Sequence, residues 1–293
     1  MPSKEKDRTT DTKGYQPTRS GRSNSIFPWP GGKGEKSDWI IDKIPPHDTF
    51  IEVFGGSAAI TYNKPRSKYE IYNDLNDDLV QFFRVLRNHE DELIKWLQGV
   101  PYARSLYEEW VVEFYEGYRP DDPVERAGRF FTLRYMQSQG ESSKVNGFKT
   151  RAKRSPARSF DNAREQLWEI ADRFRQVTIE NKDYRELLED YDDNDVDVIF
   201  YADPPYVDTE HFYGEGFDHA EFIEALDELD AEWMVSYEDL PEGIAEIGYV
   251  LERSRRHRMK QDDADVTERL ICSFDPDNHP SFVSHQQQTL TGI

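Results

Sequence analysis

The stretch Asp203-Pro204-Pro205-Tyr206 closes a short β-branched and aromatic run at residues 198–201, and its residue types are the ones in this chain best suited to chemistry. An apolar run of that length ending in prolines predicts a buried strand that leads into a stiff loop, since each proline fixes φ at about −65° and offers no N–H. A carboxylate, a rigid carbonyl and an aromatic face then gather at a strand's C-terminal end, where open α/β sheets bind ligands. This trio suits a planar base with an exocyclic amine. Asp203 and the Pro204 carbonyl can each accept a hydrogen bond from the –NH2 group, Pro205 stiffens the loop, and Tyr206 offers its ring for stacking. Asp-Pro and Pro-Pro are also ordinary turn dipeptides, so the rest of the chain must decide between the two readings.

Upstream, residues 26–37 form a proline- and glycine-rich loop that leads into a helical pattern at Trp39-Ile40-Ile41. The order Gly, four residues, Gly-Lys-Ser/Thr is absent, because Lys36-Ser37 follows Glu35, and this excludes a nucleotide triphosphate loop. The same loop can let backbone approach a ligand, with Trp29 for stacking and Lys33 for a carboxylate or phosphate, or it can be only a turn. A strand is expected at residues 49–54, ending at Phe54, and Gly55-Gly56-Ser57 turns it into a helix near Ala58. Strand, glycine turn and helix make the ligand-approach element of a Rossmann-like unit, although the full Gly-x-Gly-x-x-Gly fingerprint is missing. Phe54 and Gly55 are therefore candidate cofactor contacts. Asp74 follows the next strand, residues 69–72, where an acidic residue can bind both hydroxyls of a ribose. It can equally cap a helix starting at Leu75. Asp183, after a third strand at residues 177–180, can accept a hydrogen bond from an adenine amine or cap the next helix.

The elements that must position these residues alternate as in an α/β core. Further strands are expected at residues 232–237, 248–252 and 270–274, the last two as an antiparallel edge pair, with the basic residues 253–260 as a loop between them. Helical spacing without strand signal runs over residues 79–110 and again over 126–136, followed by a polar, conformationally loose segment; helices at residues 161–174, 185–188 and 217–229 flank the later strands. This predicts a catalytic domain from residues 26–78 and 161–275, a helical insert at 79–160, a disordered tail at 1–25 and another tail at 276–293. The formal charge of −21 argues against a nucleic-acid partner until its distribution is considered. Residues 144–159 hold Lys144, Lys149, Arg151, Lys153, Arg154 and Arg158 and no acid, which marks the end of the insert as a candidate DNA-binding segment. Acid spread over the surface with base in two places fits a halophile, or simply an acidic mesophilic protein. The single Cys272 excludes an internal disulfide and a cysteine-based zinc site, reads as a buried structural thiol, and fits a cytoplasmic protein. No apolar run approaches the ~20 residues of a membrane helix, and the histidines show no metal-ligand spacing.

Taken in order, Trp29-Pro-Gly-Gly-Lys33, Phe50-Ile-Glu-Val-Phe-Gly-Gly56, Asn73-Asp-Leu-Asn76, Asp203-Pro-Pro-Tyr206 and Glu268-Arg-Leu-Ile-Cys272 resemble the Dam-like, D12-class family of DNA adenine-N6 methyltransferases. The resemblance implies a Rossmann-like S-adenosylmethionine-dependent methyltransferase fold with a helical DNA-recognition insert. It also implies transfer of methyl from S-adenosylmethionine to the N6 amine of a flipped adenine in double-stranded DNA, without a metal. Contacts to the cofactor carry over onto Trp29, Lys33, Asp74 and Asp203. Family members often carry an Asn-Arg-x-Gly-Phe-Asn-Gly-like run where this chain has Leu133-Arg-Tyr-Met-Gln-Ser-Gln-Gly140, so the recognition sequence does not carry over, although GATC is a common family target. A monomer is expected, and a restriction enzyme can accompany such a protein or be absent. Competing readings are methylation of an amine in RNA or protein, and a DNA-binding module that has lost catalysis.

Overall fold

A computed structural model of the chain describes residues 25–34, 36–138, 146–151, 153, 155–193, 196–205, 216–256 and 265–283. Among these residues seven strands form one sheet in the order β3-β2-β1-β4-β5-β7-β6. The strands are β1 (Thr49–Glu52), β2 (Tyr69–Asn73), β3 (Val177–Glu180), β4 (Val198–Ala202), β5 (Glu232–Tyr237), β6 (Tyr249–Arg256) and β7 (Asp265–Cys272). β1 pairs in parallel with both β2 and β4, in register Glu52 to Tyr72 and Glu52 to Tyr201, while β7 runs antiparallel to β5 and β6. Every residue of β1 and β4 is buried, as expected of central parallel strands covered on both faces. Consecutive residues face opposite layers. Ile51, Phe200 and Val235 pack with helices α8 (Tyr184–Tyr191) and α9 (His219–Asp227), while Phe50, Ile199 and Met234 pack with α1 (Ser37–Ile41) and α2 (Ala59–Asn63).

Between β2 and β3 the chain forms α3 (Asp77–Asn88), α4 (Glu90–Gln98), α5 (Arg104–Tyr115), α6 (Pro123–Met136) and α7 (Pro156–Phe174). They enclose an aromatic-rich core of their own, including Phe82, Phe131, Phe160 and Phe174, which reaches the sheet at Tyr72 and Val177. A short helix, α10 (Ile244–Ile247), leads into β6. Helix starts are set by side chains that accept the orphan backbone N–H groups: Asn76 for α3, Asp122 followed by Pro123 for α6, and Ser155 followed by Pro156 for α7.

Several boundaries differ from the sequence expectation, among them β7, which starts at Asp265 rather than residue 270 because it pairs along the whole of β6. The helix expected at residues 161–174 begins at Pro156, because Ser155-Pro156 is a cap and first-turn pair, and this places Arg158 on a helix. Arg253 to Arg256 continue strand β6 in register with Glu268 to Asp265 of β7, because the hairpin keeps its ladder beyond the end of β5. Only residues 257–260 of the expected loop remain, and they lie outside the described residues. Residues 276–283 are not a free tail: the Phe282 N–H donates to the Ile44 carbonyl at 2.7 Å and its ring packs 4.2 Å from His47. Cys272 is buried and free, and burial pushes its thiol up to about 12, as a structural role requires. Among the described residues no helix is long and apolar enough to cross a membrane, and no cluster of candidate metal ligands occurs.

Candidate active site

In the strand order, β1 and β4 are neighbours whose following connections leave in opposite directions, which opens a crevice at their C-terminal ends. The turn after β1 and the loop after β4 both lie there. Gly55 can be nothing larger, since a Cβ at that position would stand 2.1 Å from the Tyr72 ring, and its N–H donates to the Asn73 carbonyl at 2.7 Å. Gly56 is left-handed at φ 49°, and a Cβ there would meet the Trp29 indole at 2.9 Å. The turn is thus bare backbone packed between the Trp29 loop and the end of β2. Trp29 is held from behind by the edge of Phe27, by Phe130 and by the buried Arg134 guanidinium, 5.8 Å from the indole. Helix α6 of the insert therefore packs against the Trp29 ring.

Asp74 closes this side. One carboxylate oxygen accepts the Gly56 N–H at 2.8 Å and the other accepts the Asn76 N–H at 2.8 Å. Burial pushes its carboxyl up to about 6, against the two backbone N–H groups, which favour the anion. The capping role expected as an alternative for Asp74 belongs instead to Asn76, whose side chain accepts from the Asp78 and Leu79 N–H groups. Each Asp74 oxygen retains a lone pair that can accept from a hydroxyl. Asp183 caps α8: its Oδ1 accepts the Arg185 N–H at 3.0 Å and pairs with the Arg185 guanidinium, so an adenine amine would have to use Oδ2. Its loop is tied to the site by Asn73, which donates to the Lys182 carbonyl. Phe54 is half-buried and packs edge-on against Phe217 and Phe222 on the same side.

On the other side Asp203 leaves β4 partly exposed, while Pro204 and Pro205 are buried. Lys33, only 3% exposed, places its ammonium 2.8 Å from Asp203 Oδ1 and 3.0 Å from Glu268 Oε1. Burial pushes the Asp203 carboxyl up, and the Lys33 ammonium draws it back down. Glu268, on β7, also pairs with Lys36, and Lys36 reaches Glu238 at 3.5 Å. Glu268 carries no role on its residue type alone; its place at the head of the family-like run Glu268-Arg-Leu-Ile-Cys272 is the signal of it in the sequence. Trp29, Gly56 and Asp74 thus meet at the glycine turn after β1, Lys33 and Asp203 pair at the end of the neighbouring β4, and Tyr206 lies outside the described residues. The basic segment sits apart, on the insert. Its described start is anchored rather than loose: Gln137 bridges Phe148, the Lys149 N–H donates to the Met136 carbonyl, and Tyr102 donates to the Lys149 carbonyl. Lys149 is half-buried, whereas Arg151, Lys153 and Arg158 are exposed; Lys144 and Arg154 lie outside the described residues.

The crevice fits S-adenosylmethionine on three features of this chain. The backbone-only turn at Gly55-Gly56 allows close approach, the Asp74 carboxylate keeps acceptor capacity for a ribose, and the Lys33–Asp203 pair presents both charge signs to a zwitterionic amino-acid end. The family profile of D12 class N6 adenine-specific DNA methyltransferases matches residues 29–260. The chain is 30% identical over 199 residues to the Type II methyltransferase M.MjaIII of Methanocaldococcus jannaschii, covering 61% of this chain and 67% of that protein. It is 34% identical over 70 residues to a DNA N-6-adenine-methyltransferase of Escherichia phage P1, covering 24% of this chain and 9% of that protein. Among solved structures, a precorrin 8W decarboxylase from Methanobacterium thermoautotrophicum overlaps with TM-score 0.37 at 12% identity, covering 82% of this chain and 90% of that one. A methyltransferase from Geobacter sulfurreducens gives TM-score 0.35 at 8% identity, covering 82% and 76%. These overlaps are too low to bear on function. The match over residues 29–260 spans the Trp29 loop, the glycine turn, Asp74 and Asp203, and on it the chain belongs to the D12 class of N6 adenine-specific DNA methyltransferases, which use S-adenosylmethionine.

Proposed function

We propose that Asp203 and the carbonyl of Pro204 accept hydrogen bonds from the N6 amine of an adenine flipped out of duplex DNA, while Tyr206 stacks on the base. The observation that carries this reading is Asp203 just past the C-terminal end of β4, paired with Lys33 and on the strand next to the one that leads into the glycine turn. The amine is a poor nucleophile because its lone pair is delocalised into the ring. Two acceptors favour a more tetrahedral nitrogen with its lone pair aimed outward, so this chain contributes positioning and electrostatics. When bound, S-adenosylmethionine supplies an electrophilic methyl group on a sulfonium. Asp74 holds its ribose, Trp29, Phe54 and Gly55 border it, Lys33 meets its amino-acid end, and Asp183 can receive an adenine amine through Oδ2. Flipping costs a few kcal/mol, part of which stacking returns.

Residues 26–78 and 161–275 serve as the catalytic domain in this reading, and residues 79–160 read the DNA, with Lys149, Arg151, Lys153 and Arg158, and in sequence Lys144 and Arg154, contacting phosphates. GATC is the first site to test, and a companion restriction enzyme fits the name Type II methyltransferase that M.MjaIII carries. Asp203→Ala is expected to lower methyl transfer to duplex DNA roughly a hundredfold or more while leaving the thermal melt close to that of the parent. Near-normal turnover of Asp203→Ala would remove the assignment. Sequencing of methylated adenines in DNA from an expressing host identifies the recognition sequence.

A further inference from the structure

Around Lys33 stands one acid that neither cofactor binding nor the hold on the target amine requires. Glu268 lies on β7 one residue beyond the last β5 pair, Tyr237 to Arg269, where β7 runs on past the end of β5 while still paired with β6. It is 4% exposed, and its two oxygens are divided between two lysines, Lys33 at 3.0 Å and Lys36. Lys33 is in turn divided between Glu268 and Asp203. Glu268 comes from a strand rather than a loop, and Lys36 holds its second oxygen, so its placement is rigid. We propose that Glu268 is a positioning residue for methyl transfer: by sharing the charge of Lys33 it leaves Asp203 able to hold the amine of the target base. The inference rests on the proposed role of Asp203. A buried ammonium that loses one of its anions is held more tightly by those that remain, because Coulomb attraction is little screened away from water. Without Glu268 the neutral amine of adenine would have to compete for Asp203 against an ammonium with one anion fewer to share it. With Glu268, Lys33 has a second anion to lean on when the base arrives.

The test uses the full chain, S-adenosylmethionine and duplex DNA, with thermal melts on every variant. Glu268→Gln is expected to lower single-turnover methyl transfer at saturating S-adenosylmethionine about tenfold or more, a loss read on folded protein and separate from any change in cofactor Kd that reaches the site through Lys33. Glu268→Asp keeps the charge and is expected to hold turnover closer to the parent. In a Lys33→Met background, Glu268→Gln is expected to lower turnover no further, because Glu268 acts through Lys33. Unchanged turnover in Glu268→Gln overturns the proposal, as do a Glu268→Asp as inactive as Glu268→Gln and an additive loss on top of Lys33→Met. Should Glu268→Gln not fold, Glu268→Met, which removes the charge at similar volume, carries the same cycle. Asp203→Ala run alongside separates the two ideas. An active Asp203→Ala sinks the reading of the site itself, while an inactive Asp203→Ala with a normal Glu268→Gln sinks only the role of Glu268.

Discussion

Asp74 and Asn76 stand two residues apart, and both are good helix caps by type, yet they do different work. Asp74 accepts the Gly56 and Asn76 N–H groups and so fixes the turn against the end of β2, whereas Asn76 accepts the first N–H groups of α3. Asp74→Ala is therefore expected to raise the KM for S-adenosylmethionine about tenfold or more, with DNA affinity little changed. Asn76→Ala is expected to cost about 1 kcal/mol of stability and leave that KM alone. Cofactor titration and thermal melts of both variants check the pair, and exchanged phenotypes would reverse the assignment.

At the scale of elements, the turn between β1 and α2 depends on a buried acid. Glu52 on β1 accepts the Ile60 N–H at 3.3 Å through one oxygen and the Thr61 N–H at 3.1 Å through the other, which satisfies the first turn of a helix whose preceding residue, Ala58, is left-handed at φ 53°. Burial pushes the Glu52 carboxyl from 4.5 up to about 7. The folded chain therefore holds this proton more tightly than the unfolded chain does. Its contribution to stability is fully present below pH ~4.5 and is lost as pH rises towards 7, by roughly 2–4 kcal/mol at most. Glu52→Gln has nothing to ionise, so its stability relative to the parent should improve progressively between about pH 5 and 7, on the order of that difference. Parallel denaturation curves for the two proteins across this range would show that Glu52 does not titrate there.

Across the whole molecule, a formal charge of −21 meets a reaction on a polyanion. The exposed Arg151, Lys153 and Arg158 form a basic patch on the insert, next to the start of α7, within an acidic whole. Replacing all three by neutral residues is expected to weaken DNA binding for every sequence alike and to flatten the slope of log K against log salt by about 0.9 for each phosphate no longer neutralised. Cofactor affinity should not move. An unaltered slope would make these charges idle. The excess of carboxylates predicts that added salt raises the melting temperature by screening self-repulsion, which a salt titration of the parent reads directly and which must precede the binding series.

By itself the sequence determined the α/β class, the order of the strands along the chain and the bounds of the parallel ones to within a residue or two, and the family. Those signals are local: a buried central strand such as β4 is a continuous apolar run, and Gly55-Gly56 and Asp203-Pro204-Pro205 have few conformations open to them. Tertiary structure decided which side chains meet. Whether Asp74 or Asn76 caps α3 depends on backbone angles that residue type does not fix, and the Ser155-Pro156 start of α7 was hidden in a basic stretch. The return of Phe282 onto the core, and the extension of β6 through Arg256, follow from partners far along the chain. The same holds for Glu268, 235 residues from Lys33 in sequence and 3.0 Å from it in space. Strand order places β7 above the end of β5, and no spacing in the sequence records that distance.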